Sequence, residues 1–371
     1  MSRRLVATIA VLALLAVRPA VAQVTIVDPG QGRVPLSSGT TGAAELSGLA
    51  WVGGSTYHAV GDDGATAIWT LSATIDASTG WITGAAVVAA IPAAALGSDS
   101  EGIAFRPAAK SVFITDEVAS TISEFSLATG GLIQGVPVPA IYAAANVQSN
   151  MGLEAVAYRG TALWTVNEEA VVPDGPLSTT SAGSWVRIQR FDGSFTAAGQ
   201  WAYRTDPISA VSSLYSGERS GVVDIQPWSD TGLLVLEREF GGLLPGFRSR
   251  IYQVDVTTAS DVSALATVAS GGFTPLAKTL LWEQDFPTSN FEGMTFGPVL
   301  ANGARSLLLV SDDGGGINQD LYPLQFVPEP GTISIALAAV VAGLAVGRGR
   351  RVTSASIPCR RHGLPARCPP R

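Results

Sequence analysis

The sequence predicts an all-β fold, a β-propeller of five to six blades, with an apolar segment at each end that stands outside it. Three observations carry this. One strand–turn–strand unit recurs five times along the chain. The runs between its copies are short, rich in β-branched and aromatic residues, and bounded by Gly, Pro and Asp. No long helical period occurs except in the two end segments. The 371 residues, 47% hydrophobic, suffice for a large core, and 41 glycines and 22 prolines supply the turns.

The N-terminal segment, residues 1–22, reads as a secretory signal peptide. Arg3 and Arg4 precede an apolar run from Leu5 to Val17, and Ala20-Val21-Ala22 forms a small-x-small cleavage pattern before Gln23. The run is shorter than the roughly 20 residues a membrane span needs.

The repeat occupies the domain that follows, residues 23–327. "ELSGLAW" leads to "TYHAVGDDG", "DSEGIAF" to "SVFITDE", "GLEAVAY" to "ALWTVNEE", "SGVVDIQ" to "GLLVLERE", and "NFEGMTF" to "SLLLVSDD". Each unit is a strand, a tight turn and a second, more apolar strand that closes on acid. Units start near 47, 101, 154, 223 and 292, a spacing that suits four-stranded blades with loop insertions. Joining the first strand, Val24–Asp28, to the last, Leu321–Val327, offers a way to close a further blade. A pair of β-sandwiches is the alternative, but it gives no reason for a strand–acid signature to recur five times.

In a propeller the innermost strands meet around one axis. A strand buried on both faces reads as continuous Val, Leu and Ile, so the apolar, acid-ended strands are expected there. Their ends, Asp62, Asp116, Glu168, Glu237 and Asp312, then share one mouth with Glu101, Glu154 and Glu292 from the strand starts. Because successive strand residues point oppositely, one of each acidic pair (Asp62/Asp63, Asp116/Glu117, Glu168/Glu169, Asp312/Asp313) faces the axis. Gly48, Gly102 and Gly293 allow close backbone approach. Crowded carboxylates repel and persist where a cation or an arginine compensates them. The eight expected metal ligands are all oxygen donors, which favours calcium over zinc. Arg238, between Glu237 and Glu239, is either a substrate-binding group or a partner of these acids. Arg106 and Arg159 offer the same choice, with ion pairing favoured.

Residues 23–327 carry a net charge of about −16, which argues against nucleic acid as a partner. Both cysteines, Cys359 and Cys368, lie beyond this domain, excluding disulfides and thiol catalysis within it. His58, the only histidine before the C-terminal tail, sits mid-strand and reads as packed. No G-x-S-x-G elbow is present. The tryptophans, Trp51, Trp69, Trp164 and Trp282 among them, read as filling between blades.

The ordered motifs quoted above resemble the phytase-like family, also described as the esterase-like activity of phytase family, over roughly residues 44–326. The resemblance implies a β-propeller and phosphoester hydrolysis, making this a candidate divalent-cation-dependent phosphoesterase acting on a phosphorylated small molecule. No catalytic residue is carried over. The alternative is a non-catalytic cell-surface or exopolysaccharide-associated binding protein.

The C-terminal segment resembles a PEP-CTERM sorting signal, residues 328–351. Val327-Pro328-Glu329-Pro330 is followed by an apolar anchor helix, Ile333–Val346, and by Arg348, Arg350 and Arg351. The resemblance implies export in a Gram-negative bacterium, transient anchoring in the inner membrane, processing by an exosortase, and a final place at the cell surface or in the extracellular matrix. Such signals usually end soon after the basic cluster. Here an Arg- and Pro-rich tail, residues 352–371, continues and reads as disordered.

Overall fold

In a computed structural model of the chain, residues 23–328 are described apart from 38–41, 63, 65, 212–215, 243–245 and 313–318. The segments expected to be a signal peptide, an anchor helix and a disordered tail lie outside the described residues. Among the described residues no helix is long and apolar enough to cross a membrane.

Five antiparallel sheets form the blades. After β1 (Val24–Val27) and β2 (Val34–Pro35), blade one is β3 (Leu46–Gly53), β4 (Thr56–Gly61), β5 (Ala67–Ile75) and β6 (Ile82–Pro92). Blade two is β7 (Ser100–Arg106), β8 (Ser111–Asp116), β9 (Thr121–Ser126) and β10 (Leu132–Val136). Blade three is β11 (Leu153–Arg159), β12 (Ala162–Asn167), β13 (Trp185–Phe191) and β14 (Ala197–Arg204). Blade four is β15 (Arg219–Pro227), β16 (Gly232–Gly241), β17 (Gly246–Asp255) and β18 (Lys278–Phe286). Blade five is β19 (Asn290–Val299), β20 (Arg305–Asp312) and β21 (Asp320–Pro328), completed by β1 from the chain start.

The pairing of Val24–Val27 with Gln325–Pro328 therefore closes the fifth blade rather than adding a sixth. The ring is locked by strands from opposite ends of the folded unit, whose last strand runs one residue beyond the expected boundary at 327.

The first strands of the repeat, β3, β7, β11, β15 and β19, pack against one another around the ring. This corrects the expectation that the apolar, acid-ended strands are innermost; β4, β8, β12, β16 and β20 stand second in each blade. The physical reason is crowding. Five backbones converging on an axis leave no room for side chains at the closest approach. A Cβ on Gly102 would lie 2.4 Å from the Val156 nitrogen, and one on Gly48 would lie 2.3 Å from the Glu101 carbonyl oxygen. The second strands, sandwiched on both faces, are the ones that can be uniformly apolar. Their side chains form clusters shared between neighbouring blades, such as Trp164 and Val166 with Val235 and Tyr252.

Gly102→Ala is accordingly expected to cost about 1–3 kcal/mol, because two inner strands must separate, and to lower the melting temperature by a few degrees. Gly84→Ala, where an added Cβ meets nothing within 4 Å, is the control. Equal melting temperatures for the two variants would remove the close-packing account.

Candidate metal centre at the acidic mouth

Each inner strand carries a β-bulge at its start. In β3 the ladder pairs Leu46 with Gly61 and Gly48 with Val60, leaving Ser47 as the extra residue. The same count leaves Glu154 in β11, Val223 in β15 and Glu292 in β19. In β7 it falls across Glu101 and Gly102. A bulge adds a residue and re-aims its side chain. Here it is the device that turns three glutamates out of the ladder at one end of the axis.

The second strands supply the rest of the ring. Val60, Val166, Leu236 and Val310 occupy one register position opposite the inner strands, with Thr115 at the matching place in β8. Two residues further on stand Asp62, Glu117, Glu168, Arg238 and Asp312. Glu117 rather than Asp116 therefore turns inward in blade two. Asp116 points the other way and caps a turn, its Oδ1 accepting from the Ala119 amide at 2.6 Å. In blade four the ring position belongs to Arg238. Glu237 faces the gap toward blade three, accepting from Lys278 Nζ at 2.6 Å, the Asp206 amide at 2.9 Å and the Tyr203 hydroxyl. So Asp62, Glu101, Glu154, Glu168, Glu292 and Asp312 come together at this mouth, and Asp116 and Glu237 do not join them.

The ring is electrostatically divided. On one side Arg238 donates to Glu292 Oε1 at 2.6 Å, Asn290 Oδ1 at 3.1 Å and Glu168 Oε1 at 2.5 Å. Burial works against its charge, but Glu292, Glu168 and Glu154 outweigh that and raise the guanidinium above its usual value. Arg238 is thus a buried bridge between acids. Arg219 stands nearer solvent, with its guanidinium 3.9 Å from Glu168 Oε2.

On the other side no arginine or lysine lies within ion-pair distance of Glu101, Glu117 or Glu154 among the described residues. Carboxylate oxygens of Glu101, Glu117 and Glu154 lie within 4.8 Å of one another, and so do those of Asp62, Asp99 and Glu101. Glu117 is 1% exposed, and its Oε2 has no hydrogen-bond partner; the buried Asp62 Oδ1 has none either. Burial, then Glu168 and Asp99, push Glu117 up to about 8. Burial, then Glu292 and Asp312, push Asp62 up to about 8. Burial and neighbouring acids hold Glu101 and Glu154 well above the usual carboxylate range. The donor set is hard and all oxygen, lies beyond ion-pair distance of any arginine or lysine among the described residues, and could hold a metal ion.

Asp99 and Arg219 escape a reading of the repeat because they lie just outside its strands or off its acid positions. Glu117 is hidden by spacing: Ser47 to Asp62 and Glu101 to Asp116 are equally separated in sequence. The turn between Arg106 and Ser111, longer than that between Gly53 and Thr56, shifts the register in space.

The other predicted polar residues have local partners. Arg106 pairs with the buried Glu124 at 3.0 Å. His58 is buried, with Nδ1 3.3 Å from the Trp69 carbonyl oxygen and 3.3 Å from the Thr70 hydroxyl, and burial lowers its basicity. Arg159 lies at the opposite end of the axis.

A five-bladed propeller with an acid-rimmed mouth is the class these features define. The sequence matches the family described as "Phytase-like: Esterase-like activity of phytase" over residues 41–315, about three quarters of its length. The chain belongs to this family. No curated protein sequence matches it. Among solved structures it is similar to hydrazine synthase of Kuenenia stuttgartiensis (12% identity, 73% of this chain and 58% of that one, TM-score 0.33). It is also similar to the WD40 β-propeller domain of Doa1 (6%, 82% and 99%, TM-score 0.36) and to the periplasmic gluconolactonase of Pseudomonas aeruginosa (13%, 83% and 99%, TM-score 0.36). The chain spans less than two thirds of the hydrazine synthase chain.

Proposed function

We propose that this phytase-like protein is a divalent-cation-dependent phosphoesterase whose centre is the uncompensated side of the acidic ring. The observation that carries the reading is Glu117: a carboxylate 1% exposed, with one oxygen unpartnered, facing two other buried glutamates. Glu101, Glu117 and Glu154, with Asp62 and Asp99, would hold the ion, and calcium is the first candidate. When bound, such an ion supplies charge neutralisation for a phosphoryl group and an acidified water.

The protein's own residues divide the remaining work. Arg238 fixes Glu168 and Glu292 as a rigid wall. Arg219, partly exposed at the rim and only loosely held by Glu168, is placed to meet a phosphate oxygen, a role that guanidinium geometry suits. In this reading the enzyme works after export, anchored transiently at the inner membrane and released by an exosortase. An exopolysaccharide-associated binding role is the alternative for the same mouth.

The test is hydrolysis of a chromogenic phosphomonoester by the purified protein in calcium and in chelator. Calcium-dependent turnover that falls about 100-fold or more in Glu101→Gln, on the scale of losing a transition-state electrostatic contact, is expected. Calcium binding with no turnover on any phosphoester would replace this reading with the binding role.

A further inference from the structure

The inner strands also build the opposite end of the axis, and its chemistry is reversed. Four residues after each bulge position stand Trp51, Phe105, Tyr158, Pro227 and Phe296. These five line a cavity of about 570 Å³ that opens at the strands' C-terminal ends. Four of the five blades thus place an aromatic ring at one level of one cavity. Trp51 accordingly stands in this wall rather than serving only as filling between blades. The volume is that of an ordinary small-molecule site.

Two arginines, Arg159 and Arg305, line the same cavity. The Arg305 guanidinium lies 4.6 Å from the Phe296 ring centre and 5.6 Å from that of Trp51, and its Nε donates to the Gly297 carbonyl at 3.0 Å. No carboxylate lies within ion-pair distance of Arg305 among the described residues; burial, then Arg159, lowers its pKa, and the Tyr57 hydroxyl acts the other way. Among the described residues Arg159 has only Asp230 at 3.9 Å, an aspartate 95% exposed. The one acid in the wall is Asp224, which accepts from the Ile225 and Met294 amides. Both Asp224 oxygens are thus taken up by backbone amides, and no ion pair joins it to either arginine among the described residues. In a domain of net charge about −16, a cavity lined by two arginines whose sole ion pair is the long, exposed one to Asp230 among the described residues is an exception. Stacked arginines lose little freedom when they bind an anion, and aromatic walls favour a flat apolar body.

We propose that this second mouth binds a small amphipathic organic anion, with its aromatic or similarly flat body among Trp51, Phe105, Tyr158 and Phe296 and its anionic head on Arg305 and Arg159. The site stands apart from the acidic mouth, separated by the length of the inner strands, and does not depend on any hydrolytic reading of that mouth. It gives the propeller a cation face and an anion face on one axis.

Titration of the full chain with 8-anilinonaphthalene-1-sulfonate, a flat aromatic monoanion, tests this. One saturable site per chain is expected, with quenching of Trp51 that disappears in Trp51→Leu. Arg305→Gln and Arg159→Gln should each weaken binding roughly tenfold or more, the scale of one charge-assisted contact. N-phenyl-1-naphthylamine, which lacks the charge, should bind weakly to the parent protein and equally well to both variants. Glu101→Gln should bind the probe as the parent does, even if it abolishes phosphoester hydrolysis. Arg159 is 40% exposed, so its replacement reports on binding even if Arg305→Gln fails to fold. Absence of a saturable site, equal binding of the uncharged analogue, or undiminished binding in Arg159→Gln would each overturn the proposal.

Discussion

Arg238→Met is expected to destabilise the protein by about 3–5 kcal/mol, the usual cost of removing one partner from a buried ion pair, and to lower the melting temperature by on the order of 10 °C. The guanidinium bridges Glu168 and Glu292, which are 1% and 9% exposed at their side chains, and it reaches across from blade four to blades three and five. Methionine fills much of the same volume but leaves both acids without their cation. Glu292, already raised to about 7 by burial despite Arg238, would then take up a proton. The deficit should therefore shrink as the pH is lowered toward 5. Arg238→Lys should recover part of the loss, because a single ammonium cannot fork between two carboxylates. Arg248→Met, which removes a pair to the largely exposed Asp285, should cost no more than about 1 kcal/mol. Melting temperatures of these variants at pH 8 check the prediction. An Arg238→Met protein as stable as the parent would show that the ring is held by something other than this bridge.

Much of this architecture is legible in the sequence because the repeat carries it. The glutamates of "DSEGIAF", "GLEAVAY" and "NFEGMTF" sit at the bulge positions, and the intervals between them are the intervals between blades. What is not legible is depth. An apolar run such as "SLLLV" says that a strand is buried on both faces, but a second strand satisfies that as well as an innermost one. Glycine at the point of closest approach decides the matter, and Gly48 and Gly102 acquire that meaning only once a neighbour's backbone is 2.4 Å or less from the missing Cβ. Facing is lost for a related reason. Asp116 and Glu117 are adjacent, and a turn a residue or two longer chooses between them. Arg238 reads as an exception within "LERE", and only the register shows that it occupies an acid position of the ring. The aromatic at the fourth place after four of the five bulge residues lies in plain view within the repeat. Its shared cavity appears only when the strands are arranged around an axis.

The largest solvent-dependent effect should come from the uncompensated side of the ring. In chelator, stability is expected to fall as pH rises from about 5 to 8.5. Asp62 and Glu117 are each raised to about 8 in the folded protein by burial and by neighbouring acids, well above an unfolded carboxyl. Between those limits the native state binds more protons than the unfolded one, so the slope of stability against pH is negative. The stabilisation from retained protons is complete below the unfolded value and is lost as pH passes the folded one. Glu101 and Glu154, raised by the same causes, add to that slope. A divalent cation replaces the protons, and its binding to the native state alone contributes about 2.7 kcal/mol at a hundredfold excess over Kd. Calcium should therefore raise the melting temperature at pH 8 by several degrees and flatten the decline. Glu101→Gln and Glu117→Gln make a crossed pattern. Each removes a repelling charge, so each should melt higher than the parent in chelator at pH 8, yet each should lose most of the calcium response. A melting temperature that ignores both pH and calcium over this range would mean that these carboxylates are already compensated, and the cation-dependent reading of the mouth would lose its physical basis.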